Sequence, residues 1–240
     1  GTSLVLFGCG ALLVWLRLRP EPRDVGRALA QLEPERLPGG ASDAPRAIST
    51  IVQQPAVIVA VTAMVMGQVT MVMLMVITSL YMQHQQHSLD AVALVISSHT
   101  VGMFAFSIVS GRMADRWGRG IVITIGAATL VLACLLAPVS PAVPPIAFAL
   151  FLLGLGWNFC FVGGSSLLAD QLSPAERARI QGVNDLLIGL VSAFGSVSSG
   201  LIFAAVGYGT MSIVGAIAAA IPLGLGSWWL WHQRRSAAPS

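Results

Sequence analysis

Seven apolar runs, separated mostly by short turns, restrict this 240-residue chain to very few folds. They cover about 2–16, 56–82, 89–110, 120–137, 146–168, 180–204 and 210–231. Roughly 20 consecutive apolar residues are enough for a helix to cross the hydrocarbon layer of a bilayer. Strands of a membrane barrel are about half that length and alternate in polarity, unlike these runs. Composition leads the same way, with 55% hydrophobic and 10% charged residues and a mean hydropathy of +0.80. A soluble domain of this length must keep a solvated polar exterior. The expected fold class is therefore an all-α polytopic membrane protein, with lipid as solvent.

Sidedness follows from the arginines. The chain contains no lysine, and its thirteen basic residues are all arginines in loops or at helix ends. Arg17, Arg19, Arg23, Arg27, Arg36 and Arg46 follow the first run; Arg112, Arg116 and Arg119 come two spans later. Arg177 and Arg179 come two spans after that, and Arg234 and Arg235 follow the last run. The alternate turns, 83–90, 138–145 and 205–210, hold none. The arginine-bearing side is expected to be cytoplasmic, in a cell (inner or plasma) membrane. This distribution also argues against nucleic acid as a partner.

The chain opens at Gly1 partway into an apolar run, and so reads as a piece of a longer polypeptide. That run lacks a basic leader and a cleavage site and is not read as a signal peptide. Cys9, Cys134 and Cys160 fall inside apolar runs, with spacing that fits neither a disulfide framework nor a metal site. They are expected to be small hydrophobes. Residues 17–50, rich in Pro, Glu and Arg, form the one long polar stretch. Val25, Leu29 and Leu32 recur there at helical spacing, so an amphipathic surface helix and a mobile linker both fit.

One decapeptide carries more information than the rest: Gly111-Arg112-Met113-Ala114-Asp115-Arg116-Trp117-Gly118-Arg119-Gly120. It reads as a turn between two spans. It resembles the cytoplasmic loop signature of the major facilitator superfamily, Gly-x-x-x-Asp-Arg/Lys-x-Gly-Arg-Arg/Lys. Gly111, Asp115, Arg116, Gly118 and Arg119 match; Gly120 departs, where a second basic residue is usual. The resemblance implies twelve helices in two halves joined by a cytoplasmic linker. This chain then resembles helix six (1–16), the linker (17–50), a C-terminal six-helix bundle (51–232) and a cytoplasmic tail (233–240). The partner bundle would be the missing N-terminal helices of the same chain. In the family, such loops help hold the cytoplasmic ends of the two halves together. Gly111 is expected to permit close backbone approach, Gly118 to adopt a conformation barred to other residues, and Asp115 to cap the helix that follows.

A second likeness, to the tenth helix, inner loop and eleventh helix of bacterial members, runs through 154–166, 173–179 and 181–185. Ser173-Pro174-Ala175-Glu176 is also a capping box that would start the next helix.

Polar groups inside the runs are the candidate functional residues. Asp185 lies about 8 Å into its span at 1.5 Å per residue. A carboxylate at mid-membrane costs about 2.5–3.5 kcal/mol, so it should face water or a partner. Proton coupling and a simple hydrogen-bonded Asp near the interface both fit. His99 has a side chain suited to proton exchange near neutrality; a neutral His bonded to a carbonyl is the alternative. Asn158, Trp157 and Gln68, with Thr70 a weaker choice, are substrate-cavity candidates, although interhelical hydrogen bonding explains them too. Met64, Met66, Met71, Met73 and Met75 do not share a face and read as lipid-facing filler. Ser192, Ser196 and Gly200 form a small-residue stripe for helix contact, and Pro222 with Gly224 and Gly226 is expected to bend the last span. His84 and His87 read as solvated loop residues, and no metal, cofactor or catalytic residue is expected.

An embedded protease is disfavoured, because Ser165 and Ser166 lack the following glycine of the rhomboid pattern and no zinc-protease motif occurs. A retinal protein would need a lysine. The family resemblance implies secondary active transport of a small molecule by alternating access, with proton-coupled efflux of a drug or metabolite as the leading form. Proton-coupled uptake, or a non-transporting receptor or sensory subunit, is the alternative.

Overall fold

The computed structural model describes residues 8–12, 15–16, 25 and 46–236. It divides into two compact units, residues 1–45 with 173–175 and residues 46–172 with 176–240. In the first unit, residues 8–12 and 15–16 are helical, and so is Val25. Leu29, Leu32 and most of the 17–50 segment lie outside the described residues.

The second unit is helical throughout, with no strand among the described residues. A short helix α1 (Ile48–Val52) leads into α2 (Pro55–His84), whose first residue is a proline that has no amide proton to leave unpaired. Helix α3 (Leu89–Phe104) starts at Ser88, whose hydroxyl accepts from the Ala91 amide at 3.3 Å, with Asp90 in the positive first turn. Then come α4 (Ser107–Trp117), α5 (Arg119–Leu136), α6 (Val143–Asp170) and α7 (Pro174–Ser236). Counting α3 and α4 as one, five of these are long and apolar enough to span a membrane.

Helix α7 is two helices. Gly207, at φ 78° and ψ 176°, interrupts it with backbone angles that side-chain-bearing residues rarely adopt. Ser192 before the break and Gly215 after it both reach the middle of α2, at Gln68 and Thr70. The chain therefore doubles back at Gly207, and the expected external turn 205–210 shrinks to one residue.

Helix α6 is the axis, touching α2, α3, α4 and α5. Its glycines set the approach to each. A β-carbon on Gly154 would fall onto the His99 carbonyl, and one on Gly102 of α3 onto the Phe151 carbonyl. Gly126 and Gly156 make the same backbone contact between α5 and α6, at 2.8–2.9 Å from a would-be β-carbon. Gly164 faces Ala60 and Met64 of α2. Between helices in lipid no hydrophobic gradient drives association, so close packing must.

Several expectations need correction. The stripe Ser192–Ser196–Gly200 is not the tight contact: Ser196 is exposed, and Gly200 has open space where a side chain would sit. Met64 and Met73 are core residues, 1% and 5% exposed, and not lipid-facing filler. Helices also overrun the apolar runs, with α4 reaching Trp117 and α7 reaching Ser236, inside the expected tail. Non-helical backbone in the last helical segment falls at Gly207; Pro222 lies within helix.

The two ends of the bundle differ. At one, His87 bonds the Pro141 carbonyl at 2.8 Å and Tyr81 stacks on Tyr208 at 4.2 Å. At the other, Arg46 meets Glu176, Arg119 meets Asp170, and Gly120 packs against Trp229 and Leu230, next to Arg234 and Arg235. The arginine-bearing turns of this unit thus share one end.

Gly154→Ala should destabilise the bundle by about 1–3 kcal/mol or more through overpacking against α3 backbone. Gly111→Ala, with nothing within 4 Å of the new carbon, should be neutral or slightly stabilising. Thermal unfolding of the two purified variants in the same detergent checks the contrast; equal melting temperatures would refute it.

Candidate functional site

A chain of polar contacts crosses the bundle interior. Trp157 Nε1 of α6 donates to Gln68 Oε1 of α2 at 2.8 Å. Gln68 Nε2 donates to Ser192 Oγ of α7 at 2.9 Å, and Ser192 Oγ donates to the Ile188 carbonyl at 2.7 Å. Each member is half-buried. The indole stacks on Phe161, one helical turn along, with centroids 4.9 Å apart, and meets Phe104 of α3 edge-on at 6.5 Å. Gln68 keeps one amide N–H and one oxygen lone pair for a further partner.

Alongside lies an apolar groove of about 370 Å³ between α2 and both arms of α7, lined by Val69, Met73, Phe194, Ile202 and Val214 among others. Apolar walls beside a few fixed polar groups are the usual make-up of a small-molecule site.

Asp185 sits seven residues before Ser192, two helical turns and hence on the same face. It is exposed and has no hydrogen-bond or ion-pair partner among the described residues. Its neighbour Asn184 is buried against α2, 2% exposed, with Nδ2 3.7 Å from Met64 Sδ and Oδ1 without a hydrogen-bond partner. Thr70, by contrast, turns its hydroxyl back onto the Met66 carbonyl.

The structure places His99 and Asn158 away from that face. His99 is 2% exposed between α3 and α6. Its Nδ1 lies 3.0 Å from the Leu150 carbonyl, which can only accept, so Nδ1 carries the proton. Its Nε2 is buried without a partner. Asn158, also 2% exposed, spends its whole amide on α3 and α4: Nδ2 donates to the Met103 carbonyl and Ser107 Oγ, and Oδ1 accepts from Ser110 Oγ.

The decapeptide 111–120 is a helix end, a one-residue joint and a helix start. Residues 111–117 complete α4, Gly118 takes φ 96° and ψ 148°, and Arg119 opens α5. Gly118 therefore has the conformation expected of it. Gly111 does not: open space surrounds it on this unit. Asp115 caps nothing; it lies in the last turn of α4, at the negative dipole end, and pairs with Arg119 at 3.3 Å. Arg119 is the hub, with Nη1 donating to the Ala114 carbonyl at 3.0 Å and Nε 3.0 Å from Asp170 Oδ2. That last contact is a charge pair whose N–H is not aimed along it. Arg116 projects outward, exposed. Gly120, the departure from the signature, is buried, and a β-carbon there would come within 3.0 Å of Trp229 and Leu230.

Asp170 and Arg46 escaped the sequence reading. Arg46 donates from Nε and Nη2 to the two Glu176 oxygens, each at 2.8 Å, and from its backbone amide at 2.9 Å. Its Nη2 also meets the Gln171 carbonyl, and Arg179 closes onto the Arg46 carbonyl. The bonds to Glu176 hold the Arg46 guanidinium above its ordinary pKa. Glu176, expected to complete a capping box, thus also anchors the entry to α2. Carboxylates at span ends were the available signal for both pairs, but sequence alone does not say which arginine reaches them.

Together, the long apolar helices define a polytopic, multi-pass membrane protein. The chain belongs to the major facilitator superfamily, whose family model matches residues 59–240. It is 36% identical over 208 residues to the uncharacterized MFS-type transporter YdeG of Bacillus subtilis (86% of this chain, 48% of the relative). It is 32% identical over 239 residues to YddS of the same organism (98% and 52%). A riboflavin transporter, RfnT of Brucella anthropi, is 32% identical over 167 residues (70% and 41%). The chain spans about half the length of these relatives.

Arg46→Ala removes the guanidinium that bonds both oxygens of the Glu176 carboxylate, which is 2% exposed. A loss of about 1–3 kcal/mol is expected, read as a lower melting temperature in detergent. Adding Glu176→Gln should restore part of it; an unchanged melting temperature in the single variant would refute the anchor.

Proposed function

We propose that this chain forms one half of a secondary transporter that moves a small organic molecule by alternating access, driven by protons, with export of a drug or metabolite as the leading direction. Asp185 carries the reading. It is an ionisable side chain exposed on a membrane-spanning arm, on the face that presents Ser192 to Gln68, the residue that accepts from Trp157. Such groups inside a membrane mark ion or substrate pathways. In this reading Asp185 binds the coupling proton, Gln68 and Trp157 orient the substrate, and the groove takes its apolar part. The arginine-bearing end faces the cytoplasm, following the charge rule. The loop residues Gly111, Asp115, Arg116, Gly118 and Arg119 then stabilise one of the two access states, and lipid surrounds the rest.

His99 is the second coupling candidate, on the strength of its buried, partnerless Nε2. The likeness to a relative named for riboflavin supports a second reading, uptake of a planar aromatic metabolite on the stacked Trp157–Phe161 pair.

The test uses the full-length protein in proteoliposomes with an imposed pH gradient, following ethidium and riboflavin. Asp185→Asn should abolish gradient-driven flux while membrane insertion stays intact; wild-type flux at every pH would remove proton coupling through Asp185. His99→Gln should alter the pH profile if it shares that role, and an unchanged rate and profile would exclude it.

A further inference from the structure

The span Leu89–Trp117 is one pass built as two rods. Helix α3 ends at Phe104 and α4 begins at Ser107. A continuous α-helix would pair the carbonyls of Met103 and Phe104 with the amides of Ser107 and Ile108. Here side chains meet those carbonyls: Asn158 Nδ2 takes Met103 at 2.7 Å, and Ser107 Oγ takes Phe104 at 3.0 Å. Neither proline nor glycine lies at the break. Breaks without proline or glycine arise at π-bulges or where a side chain or water inserts into the backbone ladder, and Asn158 is placed to insert.

The two rods are held differently. Above the break, α3 is welded to α6. Gly102 and Gly154 bring backbone against backbone, Ser98 Oγ donates to the Ala147 carbonyl at 2.9 Å, and His99 bonds Leu150. Below it, α4 buries only Ser110 and Ala114, while Ile108 and Trp117 are 68% and 55% exposed. Ser110 Oγ reaches α6 through Asn158 Oδ1 at 2.7 Å. The far end of α4 is the one-residue joint Gly118.

We propose that Asn158 is a positioning residue that pins a hinge at 104–107, about which α4 swings as a rigid lever while α3 stays fixed to α6. The lever carries Asp115 and Arg116 at its tip. Its pivot adjoins the candidate site, because Trp157 precedes Asn158 and touches Phe104, the last residue of α3. A molecule pressing on the Phe104–Trp157 edge would thereby bear on the hinge. This extends the alternating-access reading by naming where a moving part begins, but its test needs neither substrate nor proton gradient.

Pulsed electron-spin distance measurements on the full-length protein in nanodiscs decide it. Cys9, the exposed cysteine among the described residues, is replaced by serine together with any exposed cysteine elsewhere in the full chain, while Cys134 and Cys160 are buried and stay. One label pair, at Leu94→Cys and Arg112→Cys, spans the hinge; the control pair, at Leu94→Cys and Leu135→Cys, does not. Asn158→Ala should roughly double the width of the first distribution and leave the control unchanged. Ser110→Ala, which removes one bond of the pin, should give a smaller broadening, and it is read in the same way should Asn158→Ala fail to fold. An unchanged hinge pair in a folded variant overturns the proposal. Broadening of both pairs overturns it as well, since Asn158 would then be general packing.

Discussion

The near-contact of peptide backbones along α6 is what the remaining architecture rests on. Helices already inserted in lipid gain little from hiding apolar side chains from one another, because the tails around them are as apolar as leucine. Van der Waals contact at short range has to hold the bundle, and Gly102 on Gly154 and Gly126 on Gly156 supply it. These seams fix α3 and α5 on either side of α6, and with them the angles at which α6 presents Trp157 and Asn158. The two adjacent side chains then serve different neighbours, Trp157 looking to Gln68 of α2 and Asn158 to the α3–α4 break.

Charges complete the division of labour. The ion pairs resolved in this unit gather at one end, where they tie α5 to the end of α6 and Arg46 to the start of α7. The middle of the bundle instead uses neutral hydrogen-bonding groups, which cost less in a medium of low polarity. Asp185 stands outside both arrangements, exposed on its helix and held by no basic side chain among the described residues.

Most of the fold was readable in the sequence because hydropathy and arginine placement are direct imprints of the lipid. The runs from 56 onward each correspond to a helical pass, and the arginine turns share an end, as their alternation implied. Helix ends were not readable. Hydropathy marks where a helix leaves the hydrocarbon, and α4 continues in polar residues as far as Trp117, so the decapeptide looked like a loop. The break after Phe104 left no local mark either; Asn158, whose amide takes the Met103 carbonyl beside it, lies some fifty residues away. Of the candidate side chains, Gln68 and Trp157 do meet, but Ser192 was taken for a packing residue. The glycines that do the packing, at 102, 126, 154 and 156, lack the four-residue rhythm that drew attention to 192–200.

The buried glycine at position 120 has one more consequence. Trp229 and Leu230, on the final arm, fill the volume that the loop signature would otherwise give to a second arginine or lysine. Space at this corner is a trade between two distant stretches of chain: a cation at one site, or an indole at the other. Any side chain introduced at this corner would therefore have to push the ends of Trp229 and Leu230 aside.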